Sequence, residues 1–243
     1  MESGVVIPIT GDAPLVGEVV RAAYRSRYVN TVVAVAHESA RAGVAGHPTD
    51  RSGIAEAVHR AALAGAKVVY TDEAGRGPQV AKGIEAIDDD AIMLLDADLQ
   101  GLITHHVDLL AWPLDEGHAA MACGLIDSGA VLNQVFRYWL PILTRQRCVK
   151  RELIEALDTN SIKAGNFESD LGHMVDRSSI PTHTVVLEGV WQSPTFTANA
   201  RLGRVAGTFA RMFQYAAYPF GVKLPSVPEV QLPGKKRKKG QAA

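Results

Sequence analysis

The 243-residue sequence contains only two cysteines, no long hydrophobic run and no basic leader. Cys123 and Cys148 are too few for a disulfide scaffold, so we expect free thiols in a reducing compartment. A membrane-spanning helix needs about 18 consecutive apolar residues, and no such run without charges occurs. The first residues carry an acid where a secretory signal would carry bases. These absences predict a cytoplasmic protein.

The composition, 47% hydrophobic and 21% charged, predicts a folded chain with one sizeable domain. The charge is uneven, because residues 223–243 carry a net charge of +5 while residues 1–222 carry −6. An acidic body is not typical of a general nucleic-acid-binding domain, which presents a basic face. We expect residues 1–222 to form a single domain and residues 223–243 to be a disordered basic tail.

Apolar runs alternate with helical patterns in the first part of the chain. We predict strands at 5–9, 31–35, 66–70 and 91–95, and helices at 15–23, 52–65 and 78–87. This order predicts an α/β fold with a mainly parallel, Rossmann-like sheet and helices on both faces. Ligands of such sheets bind beyond the carboxyl ends of the strands. In the less regular second half we predict helices at 104–110, 151–157, 167–177 and 202–218, and strands at 119–126 and 184–190.

The fourth predicted strand ends in Leu94-Leu95-Asp96-Ala97-Asp98. Carboxylates two residues apart at a strand tip point to the same side, and they repel each other unless a cation or water lies between them. A hard divalent ion such as Mg²⁺ or Mn²⁺ suits this pair and can bridge to substrate phosphates. The alternative is an ordinary polar loop, which is the commoner meaning of an isolated Asp-x-Asp.

The third predicted strand is followed by Gly75-Arg76-Gly77 and a helix. Glycines let the backbone approach a ligand closely, and arginine pairs with phosphate. The absence of a following Gly-Lys-Ser/Thr excludes a Walker loop, and the absence of a third glycine argues against a dinucleotide fingerprint. The triplet by itself is a weak indication of phosphate binding.

Taken in order, these motifs resemble the pattern of glycosyltransferase family 2 over about residues 5–192. Later segments resemble the acceptor-side block of glucosyl-3-phosphoglycerate synthase-like and polyprenyl-phosphate sugar transferase members. The matching segments are Val5-Val6-Ile7-Pro8, Thr49-Asp50-Arg51-Ser52-Gly53, Gly75-Arg76-Gly77, Asp96-Ala97-Asp98, 140–147, 150–153 and 165–168. The resemblance implies the glycosyltransferase A fold, with a nucleotide-sugar-binding half at 1–98 and an acceptor half at 99–222.

The chain departs from the family pattern around the expected donor site. After the first strand the family has Asn-Glu, and this chain has Gly11-Asp12. The family ends its second strand in Asp, where this chain has Ala36-His37 and Glu38 is the nearest carboxylate. Relatives carry a late metal-binding histidine where this chain has Val190-Trp191-Gln192. These changes leave the nucleotide of the donor open.

The resemblance implies that Asp98, with Asp96, holds Mg²⁺ or Mn²⁺ on the diphosphate of a nucleotide-sugar donor, where Arg76 also offsets charge. If a hexosyltransferase-like reaction inverts the configuration of the transferred sugar, Glu168 would be the general base on the acceptor hydroxyl. The alternative is that Glu168 is an acid at a helix N-terminus, where the helix dipole favours it. Asp98 and Glu168 are thus the catalytic candidates. The donor-binding candidates are Pro8, Ile9, Gly11, Asp12, Glu38, Asp50, Gly75, Arg76, Asp96 and Ala97. The acceptor-binding candidates are Gln146, Arg147 and Lys150. The two basic side chains indicate an acceptor that carries a phosphate or another anion. The alternative is that these residues belong to a solvated helix start.

Three other functions stay open beside metal-dependent sugar transfer to a hydroxyl acceptor. A nucleotidyltransferase would need a basic residue after the first strand, and residues 10–14 have none. The missing second-strand Asp favours a non-catalytic nucleotide-sugar-binding protein, whereas Asp-Ala-Asp and Glu168 oppose it. The basic residues at 235–239 could contact nucleic acid, and a modified nucleobase would then be the acceptor. They could instead contact an anionic membrane surface. A homodimer is a further candidate assembly.

Overall fold

The computed structural model describes residues 1–41, 52–126 and 144–192. All of these residues belong to one unit of the chain, Met1–Ser193. A second unit, Pro194–Ala243, lies outside the described ranges. The strands are β1 (Ser3–Ile9), β2 (Val29–His37), β3 (Lys67–Thr71), β4 (Ala91–Leu94), β5 (Leu99–Gln100), β6 (Met121–Ile126), β7 (Gln146–Lys150), β8 (Thr182–Leu187) and β9 (Trp191–Gln192). The helices are α1 (Val16–Tyr24), α2 (Ser52–Leu63), α3 (Arg76–Glu85), α4 (Thr104–Asp115), α5 (Arg151–Glu155), α6 (Thr159–Lys163) and α7 (Phe167–Ser178), and a 3-10 turn (Glu38–Ala40) follows β2.

Seven of these strands form one sheet in the order β3-β2-β1-β4-β7-β6-β8. Strands β1 to β4 run parallel, as do β6 and β8, whereas β7 is antiparallel to both of its neighbours. Strands β5 and β9 pair as a separate antiparallel ribbon. The predicted α/β class with a mainly parallel sheet is confirmed.

The strands bury alternate residues in two cores, one on each face of the sheet. Val5, Ile7 and Ile9 of β1 belong to a core with residues of α1, α2 and α4. Val6 belongs to the other core, with residues of α3, α6 and α7. All four side chains are at most 1% exposed. Burial on both faces explains why the strands have continuous apolar sequences and confirms helices on both sides.

Some elements differ from the sequence prediction. No element was predicted at 146–150, and these residues form strand β7, so the alternative of a solvated helix start is wrong for them. Helix α3 begins two residues before the predicted Pro78. The ribbon of β5 and β9 has no counterpart in the prediction. Both cysteines are free, as expected, and both are buried.

Several predictions fall on residues outside the described ranges. These are Asp50, the segment 140–143, the helix at 202–218 and the basic tail with its candidate nucleic-acid and membrane contacts. They stay predictions. Within the described ranges, no helix combines the length and the hydropathy that crossing a bilayer requires.

A buried histidine closes the first turn of α4. His106 Nδ1 accepts a hydrogen bond from the backbone N–H of Ile103 at 3.2 Å, so its ring proton is on Nε2. Burial, and then the neighbouring His105, lower the pKa of His106 below its ordinary value of 6.5. His106 therefore caps a helix in its neutral form.

We expect His106 to make the fold less stable in mild acid. Because its pKa is lower in the folded protein, the unfolded chain takes up the proton first, and the free energy of unfolding falls as the pH drops below 6.5. Urea unfolding at about pH 7.5 and about pH 5.5 should show a smaller loss in His106→Gln than in wild type. The control is His59→Gln, because His59 is exposed on α2 and takes no part in capping α4, and this variant should behave as wild type. Equal losses in wild type and His106→Gln would contradict this expectation.

Candidate active site

Asp96 and Asp98 lie just beyond the end of β4, at the edge where the parallel strands end. The backbone N–H of Leu95 still donates to the carbonyl oxygen of Val6 on β1, at 3.1 Å, so the chain leaves the sheet at Asp96. Asp96 is 5% exposed and Asp98 is half-buried. The strand thus places both carboxylates at the edge where the sequence predicts a ligand site.

A glutamine of β7 holds Asp96 in place. The backbone N–H of Asp96 donates to Gln146 Oε1 at 3.1 Å, and Gln146 Nε2 donates to Asp96 Oδ2 at 3.2 Å. Both ends of the amide are therefore used on one residue. Arg145, just before β7, places Nη1 3.9 Å from the same carboxylate oxygen. Gln146, predicted at the acceptor site, thus fixes the orientation of the first aspartate.

A second glutamine bridges the two aspartates. Gln192 Nε2 donates to Asp96 Oδ2 and to Asp98 Oδ1, at 3.0 Å in each case. Gln192 reaches them because β9 pairs with β5, opposite the residue that follows Asp98. The turn after β5 allows this pairing, since a Cβ on Gly101 (φ +76°) would lie 2.3 Å from the carbonyl oxygen of Gly189. The sequence analysis marked residues 190–192 only as the place where the family pattern has a metal-binding histidine, and it did not predict this contact.

Arg76 joins Asp96 to Glu168. Its Nε lies 3.4 Å from Asp96 Oδ1, and its Nη1 forms a hydrogen-bonded ion pair with Glu168 Oε1. The Arg76 and Glu168 side chains are only 19% and 16% exposed. Burial alone would raise the pKa of Glu168, but the charges of Arg76 and Arg147 hold that pKa below its ordinary value. Glu168 is therefore ionised at neutral pH.

Both glycines of Gly75-Arg76-Gly77 are needed for this arrangement. Gly75 has φ +113°, a conformation that favours glycine. A Cβ on Gly77 would lie 2.3 Å from the carbonyl oxygen of Lys163, so the first turn of α3 can approach the end of α6 only through a glycine. This close approach sets Arg76, the first residue of α3, beside Glu168 in the first turn of α7.

Among the described residues, those predicted to border the nucleoside lie at the ends of β1 and β2. Asp12 packs against the first turn of α2. At the end of β2, both ring nitrogens of His37 are engaged, Nδ1 with Ser39 Oγ at 2.7 Å and Nε2 with the carbonyl oxygen of Asp72 at 3.0 Å. Glu38 is exposed and lines an open cleft of about 360 Å³ beside β3 and α3. Glu38 is thus accessible to a ligand, whereas His37 is held by the protein.

The acceptor candidates of β7 are separated by the strand. Arg147 pairs with Leu94 at the end of β4, whereas Lys150 pairs with Ala91 at its beginning. Lys150 therefore lies toward the opposite edge of the sheet from the aspartates. Arg147 is fully buried and acts on Glu168 through its charge.

The remaining donor candidates are placed mostly by the end of β1. Pro8 and Ile9 are buried, and the carbonyl oxygen of Ile9 accepts a hydrogen bond from Gln79 Nε2 of α3 at 3.0 Å. A Cβ on Gly11 would meet nothing within 4 Å, so this residue borders open space. The sequence prediction missed Gln79, whose buried amide is not distinguishable from a surface polar residue by pattern alone.

The two aspartates offer a donor set that fits a hard divalent cation. One oxygen of each carboxylate lies 3.0 Å from the same atom, Gln192 Nε2, so the two oxygens face a common point. Proteins hold Mg²⁺ with one or two carboxylates, and waters or substrate phosphates complete its coordination. Among the described residues, no three acidic, histidine or cysteine side chains gather into a metal-binding group. A cation here would therefore need ligands from a substrate or from water.

Comparisons with known proteins identify the fold. No protein-family model and no curated protein sequence matches the chain. The structure resembles glucosyl-3-phosphoglycerate synthase from Mycobacterium tuberculosis, solved with Mn²⁺, UDP-glucose and phosphoglyceric acid, with a TM-score of 0.60 at 17% identity over 83% of this chain and 74% of that chain. The same synthase with Mg²⁺ and UDP gives a TM-score of 0.58 at 18% identity, over 83% and 74% of the two chains. A mycobacterial protein gives 0.61 at 19% identity, over 81% and 69%. The chain therefore has the glycosyltransferase A fold.

Proposed function

We propose that this protein is a metal-dependent glycosyltransferase that moves a sugar from a nucleotide-sugar donor to a hydroxyl group of an anionic acceptor. One observation carries the proposal: the carboxylates of Asp96 and Asp98 converge on a single point at the carboxyl edge of a glycosyltransferase A sheet. Structural neighbours at low identity, solved with UDP-glucose, Mn²⁺ and phosphoglyceric acid, support this choice of donor and acceptor class.

Asp96 and Asp98 would hold the divalent cation, Mg²⁺ or Mn²⁺. When bound, such an ion supplies positive charge next to the diphosphate that leaves with the nucleoside. Gln146 keeps Asp96 in the orientation that this requires, because it uses both ends of its amide on that one residue. The ends of β1 and β2, with Gly11, Asp12 and exposed Glu38, would border the nucleoside.

The charges of the site are balanced in the free protein. Three carboxylates, Asp96, Asp98 and Glu168, lie among three guanidinium groups, Arg76, Arg145 and Arg147. A divalent cation and the doubly charged diphosphate of a nucleotide sugar would enter this cluster as a neutral pair. Either one alone would leave charge uncompensated in a partly buried site, which is costly.

Arg76 is the residue that we assign to the leaving diphosphate. It begins α3, beyond the end of β3, and it lies between Asp96 and Glu168. A guanidinium held by two carboxylates can turn toward a phosphate without crossing the site. There it would offset the negative charge that develops as the bond to the sugar breaks.

Glu168 is the candidate base on the acceptor hydroxyl if the reaction inverts. In the free protein its carboxylate pairs with Arg76, and its pKa is below the ordinary value. Both features weaken it as a proton acceptor. We therefore propose that Glu168 first holds Arg76 beside Asp96 and gains basicity when Arg76 turns to the donor.

The acceptor's negative charge would meet Arg145. This side chain is 43% exposed, and its Nη1 lies 3.9 Å from Asp96 Oδ2. Of the predicted acceptor residues, Arg147 is fully buried and Lys150 lies toward the other edge of the sheet. An exposed guanidinium beside the metal-binding carboxylates suits a phosphate or carboxylate on the acceptor.

A donor screen tests the proposal. Purified protein with Mn²⁺ or Mg²⁺ is incubated with a panel of nucleotide sugars, with and without phosphorylated hydroxy acids, and released nucleoside diphosphate is measured. We expect release that requires the cation, is abolished by EDTA and increases with an anionic acceptor. Release that is unaffected by EDTA, or no release with any pair, would contradict a metal-dependent transferase.

A non-catalytic nucleotide-sugar-binding protein is the second candidate. The observation in its favour is the end of β2, where His37 is engaged by Ser39 and Asp72 and no carboxylate takes its place. The same screen separates the two functions if binding is measured on the same samples. Donor binding without release under every acceptor condition would favour the second candidate.

A further inference from the structure

The amide of Gln192 occupies the point on which the two aspartates converge. Ionised carboxylates only accept hydrogen bonds, so an amide between two of them must present its nitrogen, with one N–H for each. The distances of 3.0 Å from Nε2 to Asp96 Oδ2 and to Asp98 Oδ1 fit that arrangement. The partial positive charge of the NH₂ group thus lies where a cation shared by the same two oxygens would lie.

Both carboxylate oxygens of Asp96 also have other contacts with the protein. Its Oδ1 faces Arg76 Nε at 3.4 Å, and its Oδ2 accepts from Gln146 in addition to Gln192. A cation at the point shared by Asp96 Oδ2 and Asp98 Oδ1 must therefore displace the Gln192 amide. The displacement breaks two charge-assisted hydrogen bonds, so it weakens the binding of a cation that arrives alone.

We propose that Gln192 is a built-in substitute for the divalent cation, which keeps cation affinity low in the free protein and makes the cation enter together with the donor diphosphate. This inference rests on the proposed function, because it concerns the same site. The charge balance of the site leads to the same coupling. A cation alone would add positive charge beside Arg76 and Arg145, and a diphosphate would compensate it. By linkage, cation and nucleotide then raise each other's affinity by the same factor.

Direct Mn²⁺ binding to the full chain tests this inference without any turnover. Free Mn²⁺ is measured by its electron paramagnetic resonance signal, with and without UDP. In wild type we expect UDP to tighten Mn²⁺ binding by about tenfold or more, equivalent to about 1.4 kcal/mol. In Gln192→Ala, we expect Mn²⁺ without UDP to bind about tenfold more tightly than in wild type, with a smaller effect of UDP.

Two further variants keep the result interpretable. Gln192→Leu retains the bulk of the side chain without polar groups, so it should shift Mn²⁺ affinity in the same direction as Gln192→Ala. Gln100→Ala is the matched control, because Gln100 pairs with Trp191 in the same ribbon and alternation places it on the face away from Gln192. It should bind Mn²⁺ as wild type does. Circular dichroism of each variant confirms that the fold is kept.

The outcomes separate this inference from the proposed function. Weaker Mn²⁺ binding in both Gln192→Ala and Gln192→Leu would overturn the inference and make Gln192 a ligand through Oε1. A wild-type affinity for Mn²⁺ that UDP does not change would also overturn it. If Asp98→Asn binds Mn²⁺ and UDP as wild type does, the aspartates hold no cation, and the proposed function fails together with this inference.

Discussion

Replacing Asp98 with asparagine should reduce sugar transfer by about 10²- to 10³-fold, a loss typical of removing one preorganised electrostatic group from a catalytic site. Asparagine keeps the shape of the side chain, and its amide oxygen can still accept the hydrogen bond from Gln192. Only the negative charge that would hold the cation is lost. Because Asp98 is half-buried, we expect the thermal unfolding temperature to change little. The measurement is kcat/KM for the selected donor at saturating cation, with thermal unfolding in parallel.

A second carboxylate provides the control for this loss of charge. Glu155 of α5 is 66% exposed and pairs with Arg151 beyond the Lys150 end of β7, away from the aspartates. Glu155→Gln therefore removes one negative charge without touching the site, and kcat/KM should stay close to wild type. Asp98→Asn with activity within about threefold of wild type would contradict a role in holding the catalytic cation, since that change is well below the effect of losing such a group.

Removing the carboxylate of Glu168 should destabilise the fold by about 2 kcal/mol at neutral pH, somewhat less than for a fully buried pair because this one is partly exposed. Glu168→Gln leaves the guanidinium of Arg76 without its ion-pair partner and removes a charge that acts on buried Arg147. In the double variant with Arg76→Gln, the two effects should be non-additive, because each single change already breaks the same contact. Urea unfolding of the four proteins measures the coupling.

The sign of the pH dependence follows from the lowered pKa of Glu168. The stabilisation is fully present above the ordinary carboxyl value of 4.5 and is lost as the pH falls through the lowered value. The difference between wild type and Glu168→Gln should therefore shrink in acid. Glu73→Gln is the matched control, because Glu73 forms an exposed ion pair with Lys163, and such pairs contribute about 1 kcal/mol or less. Additive effects of Arg76→Gln and Glu168→Gln would show that the pair is not coupled.

The first half of the fold could be predicted from sequence, and β7 could not, for a physical reason. Strands β1 and β4 and the central part of β2 are buried, and they have continuous apolar sequences that identify them. Strand β7 contains Gln146, Arg147 and Lys150, yet its first four residues are buried. Arg147 is tolerated there because the carboxylate of Glu168 is near it in the fold. Glu168 lies 21 residues after Arg147 in the sequence, so no local pattern reveals that it compensates the buried charge.

Whether residues 146–150 form a strand or a helix start decides which of them can act together. In a helix start, Gln146 and Lys150 would be one turn apart on the same side. In a strand they are separated by roughly 13 Å, at about 3.3 Å per residue. Gln146 therefore contacts Asp96, whereas Lys150 pairs with the beginning of β4.

The sequence predicted the candidate-site residues that belong to short motifs. It did not predict the contacts that form only when the fold brings distant residues together. Asp96, Asp98 and Arg76 follow strand ends, so a parallel sheet alone places them at one edge. Gln192 joins them through a two-residue strand, β9, which is too short for a periodic signal. Its contact with both aspartates depends on the close approach of Gly101 to Gly189, which only the three-dimensional structure reveals.

Equilibrium binding of nucleotide sugars tests most directly whether this edge of the sheet is a cation-dependent donor site. A panel of nucleotide sugars is titrated into wild type by calorimetry, in Mn²⁺ and in EDTA, and the titration is repeated with Asp98→Asn. We predict that at least one nucleotide sugar binds in Mn²⁺ and that its affinity falls by about tenfold or more both in EDTA and in the variant. Binding of equal strength in Mn²⁺ and EDTA, or no binding of any nucleotide sugar in Mn²⁺, would contradict the proposed function.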